Sequence, residues 1–180
     1  IKVLSKRQGL DALYRDNRGG GVIDLLPDAD GAVLMTRSYV PDVTRSLMQS
    51  TDEGIGVDRI DTRTVSVKRV EPPRRDAVEY ISDGLGNVRI MGIAKKTAEG
   101  YDNGQISYLY RQVDSRTWEP LGLFDDLTSE GFNPFNVDPQ TNTVYGFAKS
   151  NGRQALVAVS LANRSLAPRI VLSRPDVDVD

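Results

Sequence analysis

The sequence predicts an all-β fold, a partial β-propeller of about three four-stranded antiparallel blades. Three observations predict it. Turn-forming segments recur around Asp28, Asp83 and Asp138, each 55 positions from the next. Short apolar or alternating runs flank each of these turns, which is the pattern of paired strands rather than of helices. A second turn motif, Asp61-Thr62-Arg63-Thr64, returns as Asp114-Ser115-Arg116-Thr117, a spacing of 53. A fixed period of this size points to a propeller or an array of sheets. A single β-sandwich with similar turns is the other architecture compatible with it.

Residues 1–20 read as the end of a preceding strand and a linker, with Gly19-Gly20-Gly21 as a flexible connector. The first blade spans 21–73. Gly21 to Leu26 is an apolar strand. Pro27-Asp28-Ala29-Asp30-Gly31 turns the chain, because aspartate bonds its own backbone and glycine accepts positive φ. Ala32 to Met35 returns. A polar stretch from Thr44 to Glu53 leads to a strand at Gly56–Ile60. After the Asp61 turn, Val65–Val70 alternates apolar and polar residues at period two.

The second blade spans 74–128. Ala77–Ile81 leads into Ser82-Asp83-Gly84-Leu85-Gly86-Asn87, and Val88–Ala94 returns. Gln105–Tyr110 and Trp118–Phe124 flank the Asp114 turn. The third blade spans 129–175: Phe132–Val137, the turn at Asp138-Pro139-Gln140-Thr141-Asn142, then Thr143–Ala148, Ala155–Leu161 and Ile170–Leu172. Residues 176–180 read as the start of a further blade. Three blades do not close a ring that ordinarily has about four to eight. Open sheet edges therefore invite self-association. The first residue is Ile1 and the last segment is acidic; both ends read as cuts within a longer polypeptide.

Composition narrows the function classes. Hydrophobic residues are 39% and charged residues 27%, as in a folded globular domain. The 23 basic and 25 acidic side chains are interspersed and the net charge is −2. No concentrated basic surface of the kind nucleic acid needs is visible, so no nucleic-acid partner is expected. No apolar run reaches the roughly 18 residues of a spanning helix, and no membrane partner is expected. There is no cysteine and no histidine. Disulfides, cysteine-ligated metals and thiol nucleophiles are excluded, and so are the commonest general base and metal ligand. No cofactor is expected, and the compartment is left open between cytoplasm and bacterial periplasm.

Individual motifs give little chemistry. Asp28-Ala29-Asp30-Gly31 lacks the further ligands of a calcium loop. Asp176, Asp178 and Asp180 alternate along the terminus and read as a frayed acidic end or a loose cation site. Gly54-Ile55-Gly56 lacks the third glycine of a dinucleotide loop. Asp125-Asp126 reads as a loop cap, with Leu127 and Thr128, or as a carboxylate pair. Asn163-Arg164-Ser165 matches a glycosylation triplet on a turn. Trp118, Tyr108 and Tyr110 read as inter-sheet packing. Arg37 and Arg89 lie near strand ends, where a propeller presents side chains to its channel or rim. Each is a candidate substrate-binding residue that could hold a carboxylate through its forked donors, or a plain surface charge.

The runs Pro27–Met35, Val57–Thr64 and Ile81–Arg89 resemble the N-terminal propeller of prolyl oligopeptidase-type serine peptidases, among them the bacterial dipeptidyl- and acylaminoacyl-peptidase-like members. Arg174–Val179 is similar to a link between blades in that group. The resemblance covers roughly residues 20–180. It implies a non-catalytic propeller that gates or orients peptide substrate for an α/β-hydrolase domain of the same parent polypeptide. None of the hydrolase triad maps here: the chain has no histidine and no Gly-x-Ser-x-Gly elbow. The paired glutamates by which some members hold a substrate amino terminus have no counterpart either. Two other classes compete. One is a stand-alone propeller scaffold for protein or ligand binding. The other is a lactonase-type propeller, which requires channel metal ligands and a closed ring.

Overall fold

The computed structural model describes residues 4, 20–27, 31–41, 51–162 and 167–180. Among the described residues there is no helix; the structure is built from thirteen strands in three antiparallel sheets, none closed on itself. The turn at 28–30, most of the polar stretch 44–53 and the 163–165 triplet lie outside the described residues. The chain divides into two compact units, Ile1–Tyr80 and Ile81–Asp180.

Sheet 1 runs in the order β1 (Val22–Asp24), β2 (Ala32–Tyr39), β3 (Gly54–Asp61), β4 (Val67–Arg74). β2 and β3 pair without a break from Ala32↔Asp61 to Tyr39↔Gly54. β4 extends past the Val65–Val70 run read from the sequence and carries Pro72 and Pro73. Proline cannot donate to a ladder, so it is tolerated in a strand only at an edge, and β4 is the edge of its sheet. Leu34, Val57 and Ile60 are fully enclosed and form the apolar centre of this unit.

Sheet 2 follows with β5 (Ala77–Ser82), β6 (Val88–Lys96), β7 (Asp102–Tyr110), β8 (Glu119–Asp125) and β9 (Glu130–Gly131). The two-residue β9 is a fifth strand that the sequence does not announce. Sheet 3 comprises β10 (Asn133–Asp138), β11 (Thr143–Ser150), β12 (Arg153–Ser160) and β13 (Arg169–Leu172). The β11–β12 hairpin is unbroken over eight pairs and turns at Asn151-Gly152. Both turn residues have positive φ, 54° and 80°, the requirement of a two-residue turn whose twist matches that of its strands.

Sheets 2 and 3 share one core. Ile81, Ile90, Tyr108, Tyr110 and Phe124 of sheet 2 meet Val137 and Val144 of sheet 3 and Leu161 just after β12, with Ile106, Leu121 and Phe132 packed alongside. Each large apolar side chain so enclosed stabilises the unit by roughly 1.5–3 kcal/mol relative to exposure. The coarse expectation of antiparallel sheets in sequence order therefore holds. Tyr108 and Tyr110 are inter-sheet packing, as their strand-like setting predicts.

Candidate functional site

The two arginines singled out from the sequence sit in different units and different surroundings. Arg89 is the second residue of β6 and is enclosed, its side chain 1% exposed. Its Nε donates to the carbonyl of Arg111 at 2.8 Å, and its Nη2 donates to Asn142 Oδ1 at 2.5 Å. Nη1 lies 3.6 Å from Asp83 Oδ2, itself fully buried, and makes no hydrogen bond. Burial depresses the guanidinium pKa, and the Asp83 carboxylate works against that shift.

Local backbone chemistry places these partners. Asp83 caps the β5–β6 turn: its Oδ1 accepts from the Leu85 and Asn87 N–H groups at 3.0 and 3.2 Å. Asn142 takes φ of 51°, a left-handed conformation that asparagine tolerates, as it ends the Asp138 turn. Its amide then bridges sheets. It accepts from Arg89 and donates to Gln112 Oε1 at 2.9 Å, while Gln112 donates to the Leu161 carbonyl at 2.6 Å. This chain of bonds ties the β6–β7 end of sheet 2 to the turn end of sheet 3. Sequence spacing could not show it, because Arg89 and Asn142 are 53 residues apart.

Arg37 lies on β2, with its side chain 18% exposed. Nη1 reaches the buried Asp58 at 3.3 Å. The Tyr39 hydroxyl donates to the same carboxylate, with Oδ1 at 2.7 Å and Oδ2 at 2.8 Å. The Arg37 and Arg69 guanidinium carbons lie 5.3 and 4.7 Å from the Tyr39 ring centre, and Arg69 bonds Asp52 at 2.7 Å. Burial, and then the bond to Asp58, raise the phenol's pKa. Arg37 Nε is buried without a hydrogen-bond partner. The four charges of Arg37, Arg69, Asp58 and Asp52 balance, so the cluster holds itself and has no surplus charge for an anion.

A groove that the sequence reading did not name lies between the sheets of the second unit. It encloses about 360 Å³. Its apolar lining includes Leu121, Phe132, Ala148, Val159 and Pro168, and its rim carries Glu130 and Lys149. Lys149 donates to Glu130 Oε1 at 3.0 Å and to the Thr128 carbonyl at 2.6 Å. The volume falls in the range of small-ligand sites, and the lining suits an apolar group.

The acidic motifs at Asp125, Asp176 and Asp178 are engaged by neighbouring backbone and side-chain groups. Asp125 Oδ1 accepts from the Leu127 and Thr128 N–H groups at 3.1 and 2.9 Å, a loop cap rather than a carboxylate pair at work on substrate. Asp176 pairs with Arg174, and Asp178 accepts from the Gln154 N–H at 2.8 Å. Among the described residues no group of three potential metal ligands forms.

Comparisons with protein-family models, with curated proteins and with solved structures each return no match.

Proposed function

We propose that this chain is a run of β-propeller blades whose work is non-catalytic: it gates or orients peptides for a serine-peptidase α/β-hydrolase domain of the same parent polypeptide. The observation that supports it best is the succession of three antiparallel sheets in chain order, with the second and third joined face to face over one core. Blades of a propeller are sheets of this size repeated in this order. The hydrolase half of the proposal rests on the resemblance of the turn runs Pro27–Met35, Val57–Thr64 and Ile81–Arg89. Arg89 does not serve such a gate directly, because it is enclosed. Arg37 is engaged by Asp58, so the groove rimmed by Glu130 and Lys149 is the feature on which this reading places a peptide.

A stand-alone scaffold is the second reading. It is favoured by the way both arginines are engaged by carboxylates of their own unit rather than left open for a ligand.

The deciding experiment expresses the complete reading frame around this segment. It assays aminoacyl- and dipeptidyl-nitroanilide cleavage, with a serine-directed fluorophosphonate as control. Cleavage blocked by the probe is the expected result. A frame that neither cleaves nor labels leaves the scaffold reading. The 180-residue chain alone is expected to hydrolyse neither peptide nor ester; turnover abolished by a substitution within it would overturn the non-catalytic assignment.

A further inference from the structure

The groove of the second unit has a charged rim whose two members are held differently. The Lys149 ammonium donates to the Thr128 carbonyl at 2.6 Å and to Glu130 Oε1 at 3.0 Å. The Lys149 side chain is 31% exposed and that of Glu130 is 63% exposed. The ammonium thus has an anchor in the backbone, while its counterion stands on the solvent side. An ion pair this exposed is weak, because water screens it and two long side chains lose freedom in holding it. Another carboxylate can therefore take the place of Glu130 on Lys149 at small cost.

Immediately beside this charge the groove is apolar. Ala148 precedes Lys149 on β11, and Phe132 follows β9. A Cβ on Gly146 would come within 2.5 Å of the Phe132 ring, so the missing side chain there is what lets the ring form this wall. The volume of about 360 Å³ admits a whole apolar side chain. Lys149 and Ala148 border the same cavity one residue apart, a rise of about 3.3 Å along a strand. A ligand must therefore carry its negative charge next to an apolar body. In a peptide only the last residue does so, with a carboxylate and an apolar side chain on one carbon. An internal apolar residue brings no charge to Lys149, and an aspartate or glutamate side chain brings no apolar body.

We propose that this groove takes the C-terminal residue of a peptide ending in an aliphatic or aromatic side chain. The side chain enters beside Phe132 and Ala148. The terminal carboxylate displaces Glu130 from the Lys149 ammonium, and the last N–H of the peptide donates to the freed Glu130 carboxylate. Both bonds are charge-assisted, so they fix the direction of the peptide as well as holding it. An amino terminus would instead require Lys149, the anchored charge, to leave the Thr128 carbonyl. This site rests on the reading that the chain receives peptides, and not on the hydrolase half of that reading.

Titration of the 180-residue chain with glycyl-leucine, followed by backbone amide shifts, tests it. Saturable shifts are expected at Gly131, Ala148 and Lys149. Glycyl-leucinamide, which lacks the terminal charge, should bind at least about tenfold more weakly. Lys149→Met should lose a similar factor, and Lys149→Arg should restore most of it. Glu130→Gln should tighten binding several-fold, because the competing carboxylate is gone while an amide oxygen still accepts from the peptide. Glu130 is exposed, so this variant should keep the thermal midpoint of the parent chain, and its sign is readable whether or not Lys149→Met folds. An amide that binds as well as the acid would overturn the proposal. So would a Glu130→Gln variant that binds more weakly, since the ligand would then be held by its ammonium. Binding of 4-methylpentanoate as tight as that of the dipeptide would overturn the peptide assignment. No shift with glycyl-leucine, alongside probe-sensitive cleavage by the complete frame, would remove this site and leave the hydrolase reading standing. Carboxylate-dependent binding by a frame that neither cleaves nor labels would support the site and remove the hydrolase half.

Discussion

At the residue scale, Arg89 has the largest consequence. A guanidinium enclosed with Asp83 and bonded to Arg111 and Asn142 is costly to desolvate, and removing it strands its partners. Arg89→Met is expected to destabilise the second unit by about 3 kcal/mol in urea unfolding. A loss below about 1 kcal/mol would mean that the bridge between the sheets is dispensable. Aspartate turn caps give a pH dependence. Thr64 and Arg63 N–H groups lower the Asp61 pKa, the Thr128 N–H leads the lowering at Asp125, and the Thr141 hydroxyl leads it at Asp138. A carboxyl whose pKa is depressed on folding binds fewer protons in the folded state. Its contribution is complete above the unfolded value and is lost as pH falls through the folded one. The urea midpoint should therefore hold from neutrality to about pH 5 and fall below about pH 4. Replacing the three aspartates by asparagine should flatten that fall; a midpoint that rises on acidification would contradict the sign. The turns at Asp61, Asp83 and Asp138 were legible in the sequence because each cap acts within four residues of its own side chain. The burial of Arg89 was not, because its partner Asn142 belongs to another sheet.

At the element scale, strand positions followed from alternation and turn residues, while strand ends depended on neighbours. β4 runs through two prolines because only its far side lacks a partner strand. The β11–β12 hairpin was written in the sequence as Asn151-Gly152 between alternating runs, a signal that the repeat argument passed over. β9 carried no such signal: two residues are too few for a period. Backbone geometry gives a test at this scale. Gly54 opens β3 with φ of +99°, and a Cβ there would lie 2.0 Å from the Arg74 carbonyl oxygen. Gly54→Ala is expected to cost about 2 kcal/mol or more, since either the turn into β3 or the β3–β4 pairing must yield. Gly152, at φ of +80° with nothing within reach of a Cβ, should cost only about 1 kcal/mol on the same change. Equal thermal shifts for the two variants would show that crowding at Arg74 contributes nothing.

At the scale of the whole molecule, the expected outcome for the complete reading frame follows from the succession of sheets rather than from single residues. The candidate site divides along the same line. Arg37 and Arg89 were nameable because a charge near a strand end stands out in a sequence. The Glu130–Lys149 groove was not, since its lining comes from segments between Leu121 and Pro168 that meet only when sheet 3 packs on sheet 2. The sequence by itself determined the all-β class, the order of the hairpins and their turns, and the absence of histidine and cysteine chemistry. These depend on residues close together in the chain, where alternation and side-chain-to-backbone bonds act directly. Only the tertiary structure decided that Arg89 is buried, that Asn142 joins two sheets, and which residues of sheet 3 share a core with sheet 2. Period-two alternation sorts side chains into two faces but carries no information about which face another sheet will cover.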